Sequence, residues 1–252
     1  MRASYSETEL NEIKARVEPR HGWDFSRMSD WRAPVPWSYE DVVGERLAPR
    51  HDVLDIGTGG GEILRSFANR IHTGLGIDID QQMVQVAREN ADNPPNVGFR
   101  RSSHLLEDVQ EVFDVVLSRH APFSVDAFAS HLKDGGVFIT QQVGERNMAN
   151  VKAALGQSVP APVTRETFDD SALTLLEFRE YDVTYIVPDI DSLVFWLRAL
   201  DTLHADIDGA RAIGDASSLN AILQNNVSAD GFVTNEHRYL AIAEKSRALA
   251  AC

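Results

Sequence analysis

Cysteine is almost missing from this 252-residue chain: the one thiol is Cys252, so no intrachain disulfide can form. That excludes a disulfide-stapled scaffold and predicts a reducing, cytoplasmic setting. Long apolar runs are missing too. No stretch approaches the ~20 residues that cross a bilayer, and Met1-Arg2-Ala3-Ser4-Tyr5-Ser6-Glu7 has no apolar segment of the signal-peptide kind. Basic charge is scarce, with 24 Lys and Arg against 38 Asp and Glu, a net charge of −14. Arg100-Arg101 is the one adjacent basic pair. Nucleic-acid binding rests on basic side chains neutralising phosphates, so a nucleic acid is excluded and a small molecule is expected instead. The eight histidines show no H-x-H or H-x₃-H spacing and no cysteine partner, which predicts no metal site. Repeats and low-complexity tracts are absent. With 43% apolar residues, one domain over 1–252 is expected, as a monomer or homodimer.

What the chain does contain is concentrated in Val53-Leu54-Asp55-Ile56-Gly57-Thr58-Gly59-Gly60-Gly61-Glu62. An apolar strand runs into a glycine-dense turn, followed by a helix with Ile63, Leu64 and Phe67 at helical spacing. Sixteen residues past Glu62, a second strand, Leu75-Gly76-Ile77, ends in Asp78. An acidic residue at that strand end accepts hydrogen bonds from ribose hydroxyls in open α/β sheets. The dinucleotide fingerprint G-x-G-x-x-G fits poorly, because the third glycine is Gly61 and Glu62 fills the expected slot. A carboxylate in the first helical turn repels a pyrophosphate competing for the same positive helix end. A phosphate-free sulfonium nucleoside, S-adenosylmethionine, tolerates the acidic lining; an NAD(P)-dependent oxidoreductase is the weaker alternative.

The run Asp55–Glu62, then Gly76-Ile77-Asp78-Ile79, Phe113-Asp114-Val115-Val116 and Lys133-Asp134-Gly135-Gly136-Val137-Phe138-Ile139, resembles the class I SAM-dependent methyltransferases in order and spacing over roughly residues 48–145. The resemblance implies that Gly57, Thr58 and Gly59 lie along the methionine part of the cofactor, with Asp55 and Gly61 also among its binding residues. It implies that Asp78 takes the ribose diol and that Ile79 packs on the adenine. Where that family usually has an acidic residue after the third strand, this chain has Ser102-Ser103-His104, so Ser103 or His104 is expected to substitute. Gly22-Trp23-Asp24-Phe25-Ser26 and Phe138–Gly144 resemble small-molecule-type bacterial members.

Alternating strands and helices from residue 52 predict a doubly wound, seven-stranded, mostly parallel α/β sheet. Strands are expected at 52–56, 74–78, 97–100, 113–118, 136–142 and 178–187, with a last one through 239–243. Helices are expected at 5–18, 61–70, 80–91, 123–132, 147–156 and near 216–226. Asp80 is expected to cap one helix and Asp191 another, and Asp134-Gly135-Gly136 to turn into the fifth strand. The organisation reads as an N-terminal helical and aromatic flap (1–47), a SAM-binding core (48–187), a helical insertion carrying specificity (188–230) and a final strand and tail (231–252).

Ligands in such sheets sit beyond the carboxyl ends of the strands, between the first and fourth. The loop Ser118-Arg119-His120-Ala121-Pro122-Phe123 falls there. His120, with an intrinsic pKa near neutrality, is the candidate general base or orienting group; Ser118 and Arg119 are candidates for the cofactor. Trp23, Trp31, Trp37, Tyr39, Phe123, Gln141 and Trp196 are candidate acceptor contacts. The loop has no carboxylate before Asp126, which argues for metal-independent transfer. A SAM-binding protein of this fold that transfers no methyl, cyclase-like or a sensor, is the other class the residues leave open.

Overall fold

Secondary structure follows the apolar patterning. A computed structural model describes residues 1–19, 25–90, 94–122, 124–159, 161–169, 171–202 and 207–246. In chain order its elements are α1 (Glu7–Arg16), β1 (Trp31–Arg32), α2 (Tyr39–Gly44), β2 (Asp52–Ile56), α3 (Glu62–Ser66), β3 (Thr73–Asp78), α4 (Gln81–Glu89), β4 (Val97–Arg101), β5 (Phe113–Arg119), α5 (Val125–Ser130) and β6 (Leu132–Val143). Then come α6 (Ala149–Ala154), β7 (Leu173–Val187), α7 (Ile190–Thr202), α8 (Gly209–Ala212), α9 (Ala216–Leu223), β8 (Val227–Ser228) and β9 (Gly231–Lys245). They group into two compact units: 1–35, 144–161 and 181–237 form one, and 36–143, 162–180 and 238–252 the other.

The second unit holds the parallel sheet, in the order β7-β9-β6-β5-β2-β3-β4. β2 pairs in parallel with β3 and with β5, β3 with β4, and β5 with β6, whereas β9 lies antiparallel to β6 from Val137↔Glu244 to Val143↔Arg238. The seven longer strands are those expected, and β1 and β8 add two residues each. Strands buried on both faces read as continuous apolar runs, and Val115, Val116 and Leu117 of β5 are fully buried. Leu54, Ile56, Ile77, Val116, Phe128 and Phe138 belong to one core, where the Phe128 and Phe138 rings meet edge to face at 5.2 Å. The opposite strand ends are tied by Lys133, whose Nζ lies 2.8 Å from the carboxylates of both Asp52 and Asp114.

In the other unit, α1 begins with a reciprocal capping box between Ser6 and Glu9. Leu10, Ile13 and Val17 form the expected stripe and share a core with Leu193, Leu197, Leu219, Ile222 and Phe232. β1 runs antiparallel to β7, Trp31 opposite Ile186.

Three local expectations are corrected. Asp134-Gly135-Gly136 does not precede a strand but lies inside β6, as an irregularity between the pairs Phe113↔Leu132 and Val115↔Val137, where β6 has three more residues than β5; Gly135 lies within it at φ +76°. The cap of α7 is Asp189, whose carboxylate accepts from the Ser192 backbone N–H at 2.8 Å, and Asp191 is already the second residue of the helix. The helix expected at 61–70 breaks after Ser66 into a short 3₁₀ turn, Ala68–Arg70.

Candidate functional site

The turn after β2 is built by glycine. Gly57, Gly59 and Gly61 all have positive φ, at +71°, +56° and +77°. Side chains are also excluded by space at two of them. A Cβ on Gly57 would lie 2.5 Å from the Ala121 Cβ, so the loop after β5 closes on the turn, and a Cβ on Gly61 would lie 2.5 Å from Cζ of Phe99. Gly61→Ala is therefore expected to cost ~3 kcal/mol of stability, from left-handed strain and the ring contact together. Denaturant unfolding checks this; a loss within error of zero contradicts the packing. The turn is held by the backbone N–H groups of Gly57 and Thr58, which both donate to the Ile77 carbonyl at 2.9 Å.

Asp78, at the end of β3, accepts from Gly59 N at 3.0 Å with one carboxylate oxygen and from Asp80 N at 2.9 Å with the other. A carboxylate has about four lone-pair sites, so two bonds to the backbone orient it and leave acceptor capacity for a diol. Ile79 beside it is an exposed apolar side chain, 64% accessible. Asp55, at the end of β2, is buried and accepts the Thr58 hydroxyl at 2.7 Å. Burial raises its pKa to about 6; the Thr58 bond opposes the shift and the Asp78 charge adds to it.

Past β4, Ser103 bonds to its own turn through Leu105 N at 3.2 Å, and His104 is half-buried. The buried Ser102 donates its hydroxyl to Asp108. The carboxylate missing directly after the third strand in sequence thus returns to that strand end from six residues downstream, a separation that a motif reading of 102–104 does not reach.

The loop after β5 gives a second cluster. His120 has φ +54°, and its backbone N–H donates to the Gln141 carbonyl at 2.9 Å. Its ring Nε2 lies 3.5 Å from the Gln141 amide nitrogen, and Gln141 Oε1 accepts the Trp37 indole N–H at 2.7 Å. Crowding by protein atoms, then the positive charges of Arg238 and Arg119, push the His120 pKa down. The residue is also solvent-exposed, so water screens part of these effects. Ser118 is fully buried and accepts from the Gln142 amide, which also reaches Thr140. Arg119 pairs with Glu40 at 2.7 Å and lies 5.2 Å over the Tyr39 ring.

Asp55, Gly57, Thr58, Gly59, Gly61 and Asp78 thus meet at one strand end, and Trp37, Gln141 and His120 form one hydrogen-bonded row. Trp31 and Trp196 belong to the unit without this turn. There Trp31 is 53% exposed, and Trp196 packs on Tyr185 at 5.0 Å between ring centres. Trp23 and Phe123 lie outside the described residues.

The group implied by the sequence is tested by the chemistry of the donors. Two carboxylates, Asp55 and Asp78, face the turn and Glu62 opens the helix after it, a lining hostile to pyrophosphate and compatible with a cationic amino-acid nucleoside. The buried Tyr39 hydroxyl and Arg119 Nε have no hydrogen-bond partner among the described residues, as donors awaiting an anionic group would. The residues fit.

Parallel strand order, the glycine turn and the acidic end of β3 lie together in one stretch of the chain. Residues 53–136 match the family described as "Methyltransferase domain". The ribosomal protein L11 methyltransferase of Dictyoglomus thermophilum is 29% identical over 154 residues, covering 58% of this chain and 46% of the relative. The ubiquinone biosynthesis O-methyltransferase of Paramagnetospirillum magneticum is 36% identical over 113 residues, covering 41% and 45%. The chain thus spans less than half the length of these curated relatives. Among solved structures, the YcgJ protein of Bacillus subtilis superposes with a TM-score of 0.60 at 17% identity, covering 83% of this chain and 99% of that one, a likeness of fold. No helix among the described residues is long and apolar enough to cross a membrane.

Proposed function

We propose that this chain transfers the methyl group of S-adenosylmethionine to an oxygen, nitrogen or carbon atom of a small molecule. The observation carrying this reading is the Asp78 carboxylate, fixed by two backbone N–H groups at the rim of a phosphate-averse glycine turn. Bound there, the cofactor supplies an electrophilic methyl on a sulfonium. The chain must hold it, align an acceptor and remove a proton where the acceptor carries one.

His120 suits the last task. Its lowered pKa keeps the imidazole neutral and able to accept a proton at neutral pH. Trp37 and Gln141 are better read as its support than as acceptor contacts, because the indole N–H occupies the Gln141 oxygen and turns the amide nitrogen toward the ring. Ser118 likewise serves the strand through Gln142. The recessed Gln141 and Trp37 favour a small acceptor over a macromolecular surface.

Calorimetry with S-adenosylhomocysteine and with NADH tests the cofactor; heat from NADH alone overturns the reading. Incubation with S-adenosylmethionine and a metabolite panel tests transfer. Formation of S-adenosylhomocysteine is expected, and binding without turnover on any acceptor would make the chain a binding protein. On a turned-over acceptor, His120→Gln is expected to lower kcat by ~10²–10⁴-fold with the S-adenosylhomocysteine affinity unchanged. The neutral form of His120 exists above its pKa and is lost as pH falls through it. The acid limb of kcat/KM is therefore expected below the ordinary histidine value of about 6.5 and to vanish in the variant. An unchanged kcat removes the role.

A further inference from the structure

Most of the outer edge of β7 has no strand beside it among the described residues. β7 runs from Leu173 to Val187, and β1 pairs with it only at Tyr185 and Ile186. Beyond that pair the Ala33 backbone N–H donates to the Thr184 carbonyl at 3.0 Å. Thr184 therefore turns its main-chain polar groups outward, and every second residue along the strand does the same. Phe178 is in that phase, and Arg165 Nη2 donates to its carbonyl at 3.2 Å. An open edge is a template for another strand, and chains that stay single blunt theirs with lysine, proline or a bulge. Residues 173–180 contain neither lysine nor proline, and Leu176 among them is 57% exposed.

The strand that complements this edge is a second copy of itself. We propose that the chain forms a homodimer by antiparallel pairing of two β7 edges about a two-fold axis at Phe178, with Arg165 capping that edge in the single chain. Phe178 and the partner's Phe178 then exchange main-chain hydrogen bonds. Glu177 stands opposite the partner's Arg179, and Arg179 opposite the partner's Glu177. These are non-hydrogen-bonded positions, where Cα atoms lie ~4.5 Å apart and side chains are closest. Opposite charges there stabilise the pairing, and like charges oppose it. Moving the axis to Leu176 would set Leu175 against Glu177, and moving it to Glu180 would set Arg179 against Tyr181, so neither register matches charges. Within one copy Arg46 at 3.2 Å and Arg179 at 2.5 Å already share Glu177, and pairing joins two such groups into one network. Leu176 and Phe178 point to the other face, where the exposed leucine gains apolar cover from the second copy. A short ladder buries little area, so the dimer is weak and depends on concentration. Arg165 holds the carbonyl that the partner's Phe178 N–H must reach, and it therefore opposes association.

Analytical ultracentrifugation of the whole chain over about a 100-fold range of concentration reads the association. Wild type is expected to pass from one chain to two as concentration rises. Glu177→Arg and Arg179→Glu are each expected to weaken the dimer ~10-fold or more, because each sets like charges opposite one another twice. Mixed in equal amounts, the two variants are expected to associate with each other, since every opposed pair again carries opposite signs. Arg165→Ala is expected to tighten the dimer, the reverse of what loss of a supporting contact would do. Thermal unfolding reports whether each variant is folded, and the Arg165 variant decides the matter if the charge reversals are not. A wild type that stays single at every concentration overturns the proposal. So does a dimer that neither reversal weakens, a mixture of folded variants that stays apart, or a weaker dimer in Arg165→Ala.

Discussion

Asp78→Ala is expected to lower the affinity for S-adenosylhomocysteine by ~10²–10⁴-fold, the largest effect on binding of any single substitution in this site. The carboxylate is positioned before any ligand arrives, since Gly59 N and Asp80 N each hold one oxygen. Two hydroxyls of a ribose would add two charge-assisted bonds, ~1.5–3 kcal/mol each, which sum to that range. The alanine also frees the Gly59 amide and loosens the glycine turn, so Asp78→Asn is the informative companion. It keeps one oxygen acceptor and is expected to fall between alanine and wild type. Calorimetric dissociation constants for the three proteins, with thermal unfolding to register the cost to the fold, decide the matter. An alanine variant that binds like wild type removes Asp78 from the site.

The second large effect is on stability and has the opposite sign to the effect on binding. With its pKa raised to about 6, Asp55 retains its proton in the folded chain at pH values where the unfolded chain has lost it. For a group raised in this way, the stabilising contribution is fully present below the unfolded value near 4 and disappears as pH rises through about 6. Above that range the folded state carries a buried charge at a cost of up to ~3 kcal/mol, two pKa units at 1.36 kcal/mol each. Asp55→Asn removes the titration while leaving Thr58 an oxygen to donate to. It is expected to unfold at higher denaturant than wild type at pH 8, by up to that amount, and to match it near pH 4. Its affinity for S-adenosylhomocysteine is expected to drop by about tenfold or more, because the turn loses a negative charge beside a cationic ligand. Parallel stability profiles from pH 4 to 8 would show that Asp55 is not held against its charge. A fold that buries an unpaired acid at its ligand edge gives up stability in the empty state for complementarity in the filled one.

The parallel strands were legible because doubly buried strands read as unbroken apolar runs, and the glycine turn because glycine takes its three positive φ values at the least cost. Asp78 was legible because it ends its strand. The interior of β6 was not, since Asp134-Gly135-Gly136 looks the same whether it turns a chain or kinks a strand, and only pairing with β5 decides between them. The aromatic stretch misled in another way. Trp37 and Tyr39 bracket one helix start, yet one donates to Gln141 and the other is an orphan donor beside Arg119. Residue type and spacing do not distinguish a donor already satisfied from one still waiting. Glu40 and Asp108 escaped notice because each acts on a partner brought close only by folding: Arg119 lies 79 positions from Glu40, and Ser102 bonds Asp108 back across a turn.

β7 and β9 are each 15 residues long, and both run through the boundary between the units. Neither unit is a contiguous segment, so simple truncation cannot isolate either one. A chimera that exchanges one unit for a homologous stretch must cut within these two strands or carry them whole. Cutting inside them would leave bare main-chain edges of the kind that recruit foreign strands and precipitate. Grafting experiments should therefore place their junctions in the connections at 35–36, 143–144 and 161–162 and transplant both long strands intact.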